Sequence, residues 1–260
     1  MKKHIVTFYD ESFSDIKDII LNRLENYSKK CDAELIVVKD WNVDKGNNFL
    51  LNRLNHMNMI AKDGRYLFID MDTLVRNDTP DLFNLVPDNK LGVFNEGGNW
   101  LRSVMVSVNE MQVRHENVFA NSPQVAYLEY NSFNKEMNLG IDLPAEFTIT
   151  YNKPYDHYNM GVMVCSSTLM KKFKLSSFIK PKNYEILNKY PIVDQLLFNL
   201  LIRKHSIPVY ELPSCFNCFY GYRTSDYLKR NFINHYCGVP NEERFEIIKR
   251  DHEILCELGF

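Results

Sequence analysis

The chain has 260 residues, 45% hydrophobic and 25% charged, the profile of a globular protein long enough to bury a substantial core. Its 31 Lys and Arg against 33 Asp and Glu give a formal charge of −2, which argues against nonspecific nucleic-acid binding as the main task. The basic start leads into only a short apolar run and then Asp10 and Glu11, so no secretory signal is read, and nothing approaches the ~20 apolar residues of a membrane span. A cytoplasmic chain with reduced thiols is the expectation. The six cysteines are dispersed, and Cys215-x-x-Cys218 lacks the second pair that would complete a zinc site.

Ile5 to Tyr9 reads as a first strand, and Asp10 to Ser14 as a polar turn with helix-capping residues before the periodic run Ile16, Ile19, Ile20, Leu24. Glu34 to Val38 is a second buried strand. Phe49, Leu50, Leu54, Met57 and Ile60 space out a second helix. This alternation predicts an α/β fold with a mainly parallel, open sheet and flanking helices.

The next strand, Tyr66 to Ile69, ends abruptly in two carboxylates, Asp70 and Asp72. Residues two apart in a strand share a side, so both acids face one point beyond the sheet edge. Two hard oxygen ligands suit Mg2+ or Mn2+, and the carboxyl end of a buried strand is where α/β sheets bind ligands. A metal there would hold phosphates. The same pair also reads as a cap for the turn or helix that follows, and both readings stay open.

Leu91 to Phe94 reads as a further strand, after which regular patterning is lost from Asn95 to Tyr158. Turn signals at Gly97-Gly98 and Ser122-Pro123, with Trp100, Phe119, Tyr127, Tyr130 and Phe133, mark a lid or substrate excursion whose aromatics either stack on a sugar or base or pack onto the body. Order returns at Asn159 to Val164, where Gly161 inside a strand pattern marks the close approach of a backbone or ligand. The lysine-rich segment from Lys171 to Lys189 offers a peripheral contact with anionic lipid or with substrate, or is simply a solvated surface. A helix enters through Pro191 with Asp194 and Gln195 in its first turn, placed to cap it or to face a ligand. A short strand at Val209-Tyr210 follows, then Asn231 to Gly238 brings His235 to the end of an apolar run, where it can add a nitrogen ligand to the same metal. Glu242 to Leu258 closes the chain as a mixed-charge amphipathic helix.

Taken together, Ile69-Asp-Met-Asp-Thr-Leu-Val-Arg76 with Pro80 and Leu82, Asn159-x-Gly161, Asp194-Gln195 with Asn199, Leu212-Pro213 with Phe216-Asn217, and His235-Tyr-Cys-Gly238 resemble the ordered motifs of glycosyltransferase family 8. That family contains glycogenin and the bacterial lipopolysaccharide galactosyl- and glucosyltransferases. The resemblance implies a GT-A (Rossmann-like) fold, with residues 1–260 as one domain and 95–158 as an inserted lid or acceptor excursion. It also implies metal-dependent transfer of a sugar from a nucleotide-diphosphate donor, a UDP-hexose by type, to a glycan, lipid-linked glycan or other hydroxyl acceptor, with retention of configuration.

Carried over by position, Asp70 and Asp72 correspond to the D-x-D that binds Mn2+ (or Mg2+) and the donor diphosphate, and His235 to the third metal ligand. Phe8, Asp10 and Ser12 fall where the family contacts the uracil and ribose, and Arg53 where an arginine touches the donor. Asn159, Asp194 and Gln195 match positions around the donor sugar; Asp194 and Gln195 are the catalytic candidates, Gln195 nearest the anomeric carbon. Gly238 and Asn241 complete the donor set, with one departure: Asn241 stands where the family has a lysine on the diphosphate. Arg244 is the nearest replacement cation unless Glu242 or Glu243 pairs with it on the surface.

The chemistry fits. Breaking a sugar–diphosphate bond develops negative charge on the leaving oxygen, which a metal neutralises, while the anomeric carbon becomes oxocarbenium-like beside Asp194 and Gln195. Two other classes share parts of this pattern. One is a non-catalytic sugar-nucleotide or glycan-binding module of the same shape. The other is a haloacid-dehalogenase-type phosphatase, whose nucleophile is followed at four residues by Thr or Val where this chain has Leu74.

Overall fold

A computed structural model describes residues 1–39, 49–95, 134–139, 157–173, 183–187, 193–220 and 225–260. Two sheets organise them. The larger has six strands in the order β2-β1-β3-β6-β5-β7, where β1 is Lys3–Phe8, β2 Glu34–Val38, β3 Arg65–Ile69, β5 Leu91–Asn95, β6 Tyr158–Ser166 and β7 Val209–Glu211. The smaller holds β4 (Thr73–Val75), β9 (Ile233–His235) and β8 (Cys218–Phe219), in that order. Within the large sheet β1 runs parallel to β2 and β3, and β5 parallel to β7, while β6 is antiparallel to both β3 and β5. The sheet is therefore mainly parallel, as the alternation of elements requires.

Strand alternation sorts the apolar residues onto two faces. Val6, Phe8, Tyr66 and Phe68 join one buried core with Leu54 and Met57 of helix α2 (Phe49–Ile60). Ile5, Tyr9, Leu67 and Ile69 join the other, with Ile20, Leu24 and Tyr27 of helix α1 (Lys17–Cys31). Helix α1 is built on the periodic set Ile20, Leu24, Tyr27 and Cys31, which Ile16 just before it extends, all buried. Each fully buried Leu or Ile contributes about 1.5–3 kcal/mol. The helix ends at Asp32, whose left-handed φ of 51° lets its N–H reach back to the Lys29 and Ser28 carbonyls.

Asp10 is the cap the sequence suggested: its Oδ1 accepts from the Ser12 N–H at 2.9 Å, opening a 3₁₀ turn at Glu11–Ile16. The closing helix runs Asn241–Glu257, and the helix carrying Asp194 and Gln195 runs Val193–Lys204. Inside the excursion, residues 134–139 dock Leu139 into the core, with its carbonyl accepting from Lys204 Nζ at 2.9 Å. Gly97-Gly98, Trp100, Phe119, Ser122-Pro123, Tyr127, Tyr130, Phe133, Pro191 and Lys189 lie outside the described residues. Among the described residues, no helix is long and apolar enough to cross a membrane.

Candidate active site

The two acids converge because each is tied to a different sheet. The Asp70 N–H donates to the Gly161 carbonyl at 2.9 Å, carrying the β3–β6 ladder one residue further. The Tyr236 N–H donates to the Asp72 carbonyl at 2.9 Å, doing the same for β4–β9. Between them the Thr73 N–H and Oγ1 both donate to the Asp70 carbonyl, at 3.2 and 2.7 Å, and close a turn. Asp70 and Asp72 thus sit in the turn between β3 and β4, not along a strand as the period-two argument supposes. It is the turn that brings them to one point.

His235 completes the group from the end of β9. Ligand atoms of Asp70, Asp72 and His235 all lie within 4.8 Å of one another, and among the described residues this is the one His, Cys, Asp and Glu grouping that close. His235 Nε2 is 3.2 Å from Asp72 Oδ1 and 3.8 Å from Asp70 Oδ2. Its Nδ1 is 2.9 Å from Asn217 Oδ1, and the Asn217 amide in turn donates to Asn159 Oδ1 at 3.0 Å. That network places a proton on Nδ1 and turns Nε2 toward the acids. Two carboxylates and an imidazole, with the outer ring nitrogen already held, fit a Mn2+ or Mg2+ ion.

Gly161 explains itself here. A Cβ at this position would meet His235 Cε1 at 2.1 Å and Nδ1 at 2.6 Å, so the close approach signalled by a glycine in a strand is that of the histidine ring. Gly238 serves differently: its φ of +77° turns the chain between β9 and the closing helix, with no atom of the described residues within 4 Å of the missing Cβ.

Basic side chains balance the acids. Arg53 Nη1 donates to Asp70 Oδ1 at 2.6 Å and Nη2 to Asp194 Oδ2 at 3.3 Å, while its buried Nε has no partner among the described residues. Burial works against the Arg53 charge, but Asp70 and Asp194 outweigh it and raise its pKa. Arg244 Nη1 donates to Asp72 Oδ2 at 3.0 Å, and Nε and Nη2 to the Val239 carbonyl at 3.0 and 2.6 Å. The surface pairing of Arg244 with Glu242 or Glu243 is therefore corrected: neighbours one and two apart on a helix do not share a face. Its guanidinium lies 6.0 Å from the Phe13 ring, which draws the turn after Asp10 to the same corner.

Burial would raise the Asp72 pKa, but His235 and Arg244 together hold it below the ordinary value. Asp72 is buried, only 8% exposed. Asp194 is the reverse case: burial outweighs Arg53 and raises its pKa. At His235 burial opposes charge, but Cys237 and Asp72 outweigh it and lift the imidazole well above its usual range in the metal-free protein.

Asn159 Nδ2 donates to Gln195 Oε1 at 3.3 Å, and the Gln195 amide hydrogen-bonds the His157 ring nitrogen. Burial pushes His157 down to about 4, so the ring is neutral and accepts from that amide. Phe8 is packed in the core, Ser12 is exposed and Asn241 is the first residue of the closing helix. Cys215 and Cys218 stay outside the site, and burial lifts the Cys218 thiol to about 12. Sequence reasoning gave no role to Asn217, although it stood in a quoted motif, and missed His157.

The open α/β sheet has the GT-A fold of solved glycosyltransferases, and the match to a glycosyltransferase family makes this chain a glycosyltransferase enzyme. The model of Glycosyl transferase family 8 matches residues 14–240, and the chain belongs to that family. Similar solved structures include a glycosyltransferase involved in glycosylation of the major capsid of PBCV-1 (TM-score 0.55, 12% identity, 96% of this chain and 100% of that one). The galactosyltransferase LgtC, in complex with donor and acceptor sugar analogs, gives a TM-score of 0.52 at 14% identity over 95% of both chains. GlyE of Streptococcus pneumoniae TIGR4 gives 0.50 at 13% identity over 98% of this chain and 63% of that one. No curated protein matches the chain by sequence.

Proposed function

We propose that this enzyme transfers a hexosyl group, with retention, from a UDP-hexose to a hydroxyl of a glycan or lipid-linked glycan, using Mn2+ or Mg2+ held by Asp70, Asp72 and His235. The observation that carries this reading is the convergence of those three ligand atoms within 4.8 Å at the end of β3. When bound, the ion supplies Lewis-acid neutralisation of the charge left on the nucleotide diphosphate.

The chain's own residues do the rest. Arg53 and Arg244 bring two cations to the carboxylates that meet the diphosphate, and they stand in for the lysine that Asn241 replaces. Arg53 also keeps the buried Asp194 carboxylate paired beside the sugar subsite. Gln195, gripped by Asn159 and His157, is held in one orientation for the anomeric carbon. A fixed amide dipole there helps only if it favours the oxocarbenium-like state over the ground state. Asp10, Ser12, Phe8 and Gly238 frame the nucleotide end through backbone position. Residues 1–260 act as one catalytic domain, a reading that the span of the family match supports.

The test is a panel of nucleotide sugars with Mn2+, Mg2+ or EDTA, read by nucleotide release and by binding. The reading expects one UDP-hexose to be hydrolysed slowly without acceptor and only with the metal. Equal release in EDTA removes the metal; binding without release under every condition removes catalysis.

A further inference from the structure

Asn217 is wholly buried just after the short turn at Ser214–Phe216, and every polar atom of its side chain is committed toward the site. Its Oδ1 receives the His235 Nδ1–H at 2.9 Å, and its Nδ2 donates to Asn159 Oδ1 at 3.0 Å. Asn159 Oδ1 also receives the Gly161 N–H at 2.7 Å, and Asn159 Nδ2 donates to Gln195 Oε1 at 3.3 Å. Each donor and acceptor in this run is compatible with the next, so one amide orientation fixes all the others.

We infer that Asn217 is a positioning residue that acts at both ends of the site: it locks the His235 tautomer with Nε2 free for the ion, and through Asn159 it sets the amide plane of Gln195 at the sugar. This rests on the reading of Asp70, Asp72 and His235 as the metal ligands. A ring whose Nδ1 must donate outward cannot also rotate to present its other nitrogen, so Nε2 is the nitrogen that faces the ion site before the ion arrives. The Asn159 amide cannot turn over either, since its oxygen is held by two donors, one of them backbone. Ion affinity and sugar orientation are therefore set by one side chain that touches neither ion nor substrate.

Two substitutions separate these roles. Asn217→Leu keeps the branched shape and removes both functions; it should weaken Mn2+ binding, read by the electron paramagnetic resonance of free Mn2+, by about 10–100-fold. Asn217→Asp keeps an acceptor for Nδ1–H but cannot donate to Asn159. It should bind Mn2+ at least as tightly as wild type while kcat falls by an order of magnitude or more at nearly unchanged donor KM. Circular dichroism and thermal unfolding check that each variant is folded, and if Asn217→Leu does not fold, the Asn217→Asp split decides alone.

Wild-type protein that fails to bind Mn2+ defeats the metal reading itself. Wild type that binds Mn2+, with a folded Asn217→Leu that binds it equally well or an Asn217→Asp with undiminished kcat, overturns the role of Asn217 and leaves the metal reading standing.

Discussion

Gly161→Ala places a methyl group where the His235 ring now lies. The new Cβ would meet Cε1 at 2.1 Å, where ordinary contact begins near 3.4 Å, so the ring and the strand must separate by roughly 1.3 Å. Neither is free to give. The Gly161 N–H is held by Asn159, its carbonyl by the Asp70 N–H, and the ring by Asn217 on one side and Asp72 on the other. Overpacking of this kind costs about 1–3 kcal/mol of stability, and a metal ligand moved by ~1 Å can lose on the order of 100-fold in function. Paired measurements of thermal unfolding and Mn2+ affinity on Gly161→Ala, His235→Ala and the double variant would read both effects. The account expects the Gly161→Ala destabilisation to vanish largely in the His235→Ala background, because the clash partner is gone. A Gly161→Ala protein with wild-type stability and wild-type Mn2+ affinity would refute the packing argument.

Further expectations follow from the same geometry. In metal-free protein the raised His235 pKa means that its charged pairing with Asp72 is fully present below about 6.5 and is lost as pH rises through the raised value. Mn2+ needs the neutral ring, so apparent Mn2+ affinity should climb with pH through neutrality and binding should release a proton; calorimetry in two buffers of different ionisation enthalpy checks this, and His235→Ala should abolish the release. Arg244→Ala frees Asp72 of a competitor, so it should tighten Mn2+ alone yet weaken UDP in the presence of Mn2+; unchanged affinity for both would leave the diphosphate charge to Arg53. Gln195→Ala should lower turnover far more than donor affinity, whereas weakened binding at constant kcat would reduce Gln195 to a donor contact.

What the sequence made legible is what periodicity carries. The helix Lys17–Cys31 and the strands Arg65–Ile69 and Tyr158–Ser166 each extend over enough residues for an apolar repeat to stand out. The small sheet was not legible, because β4 spans three residues and β8 two, too few for a repeat. Its absence from the sequence reading is why the acids were placed on a strand. In the structure the chain crosses from one sheet to the other between Asp70 and Asp72, and this crossing aims both. The burial of Asp72 has no local signal, because the arginine that pairs with it comes from 172 residues away. Asn217 and His157 carry no spacing signal: a single buried amide or imidazole becomes meaningful only once its partners are in place. Gly161 was read correctly as a mark of close approach, and the structure supplies the object, the His235 ring.

The central claim is that Asp70, Asp72 and His235 bind a divalent ion that the transfer requires. The most direct measurement is UDP release from a UDP-hexose across a Mn2+ titration, in wild type and in Asp70→Asn, with EDTA as the zero point. Asp70→Asn is the preferred variant, since Asp70 is the more exposed of the two acids and the amide keeps an acceptor for Arg53. The account predicts saturable Mn2+-dependent release in wild type, none in EDTA, and a loss of at least ~100-fold in Asp70→Asn with an unchanged unfolding temperature. Full release in EDTA, or an Asp70→Asn enzyme with the wild-type Mn2+ profile, would contradict it.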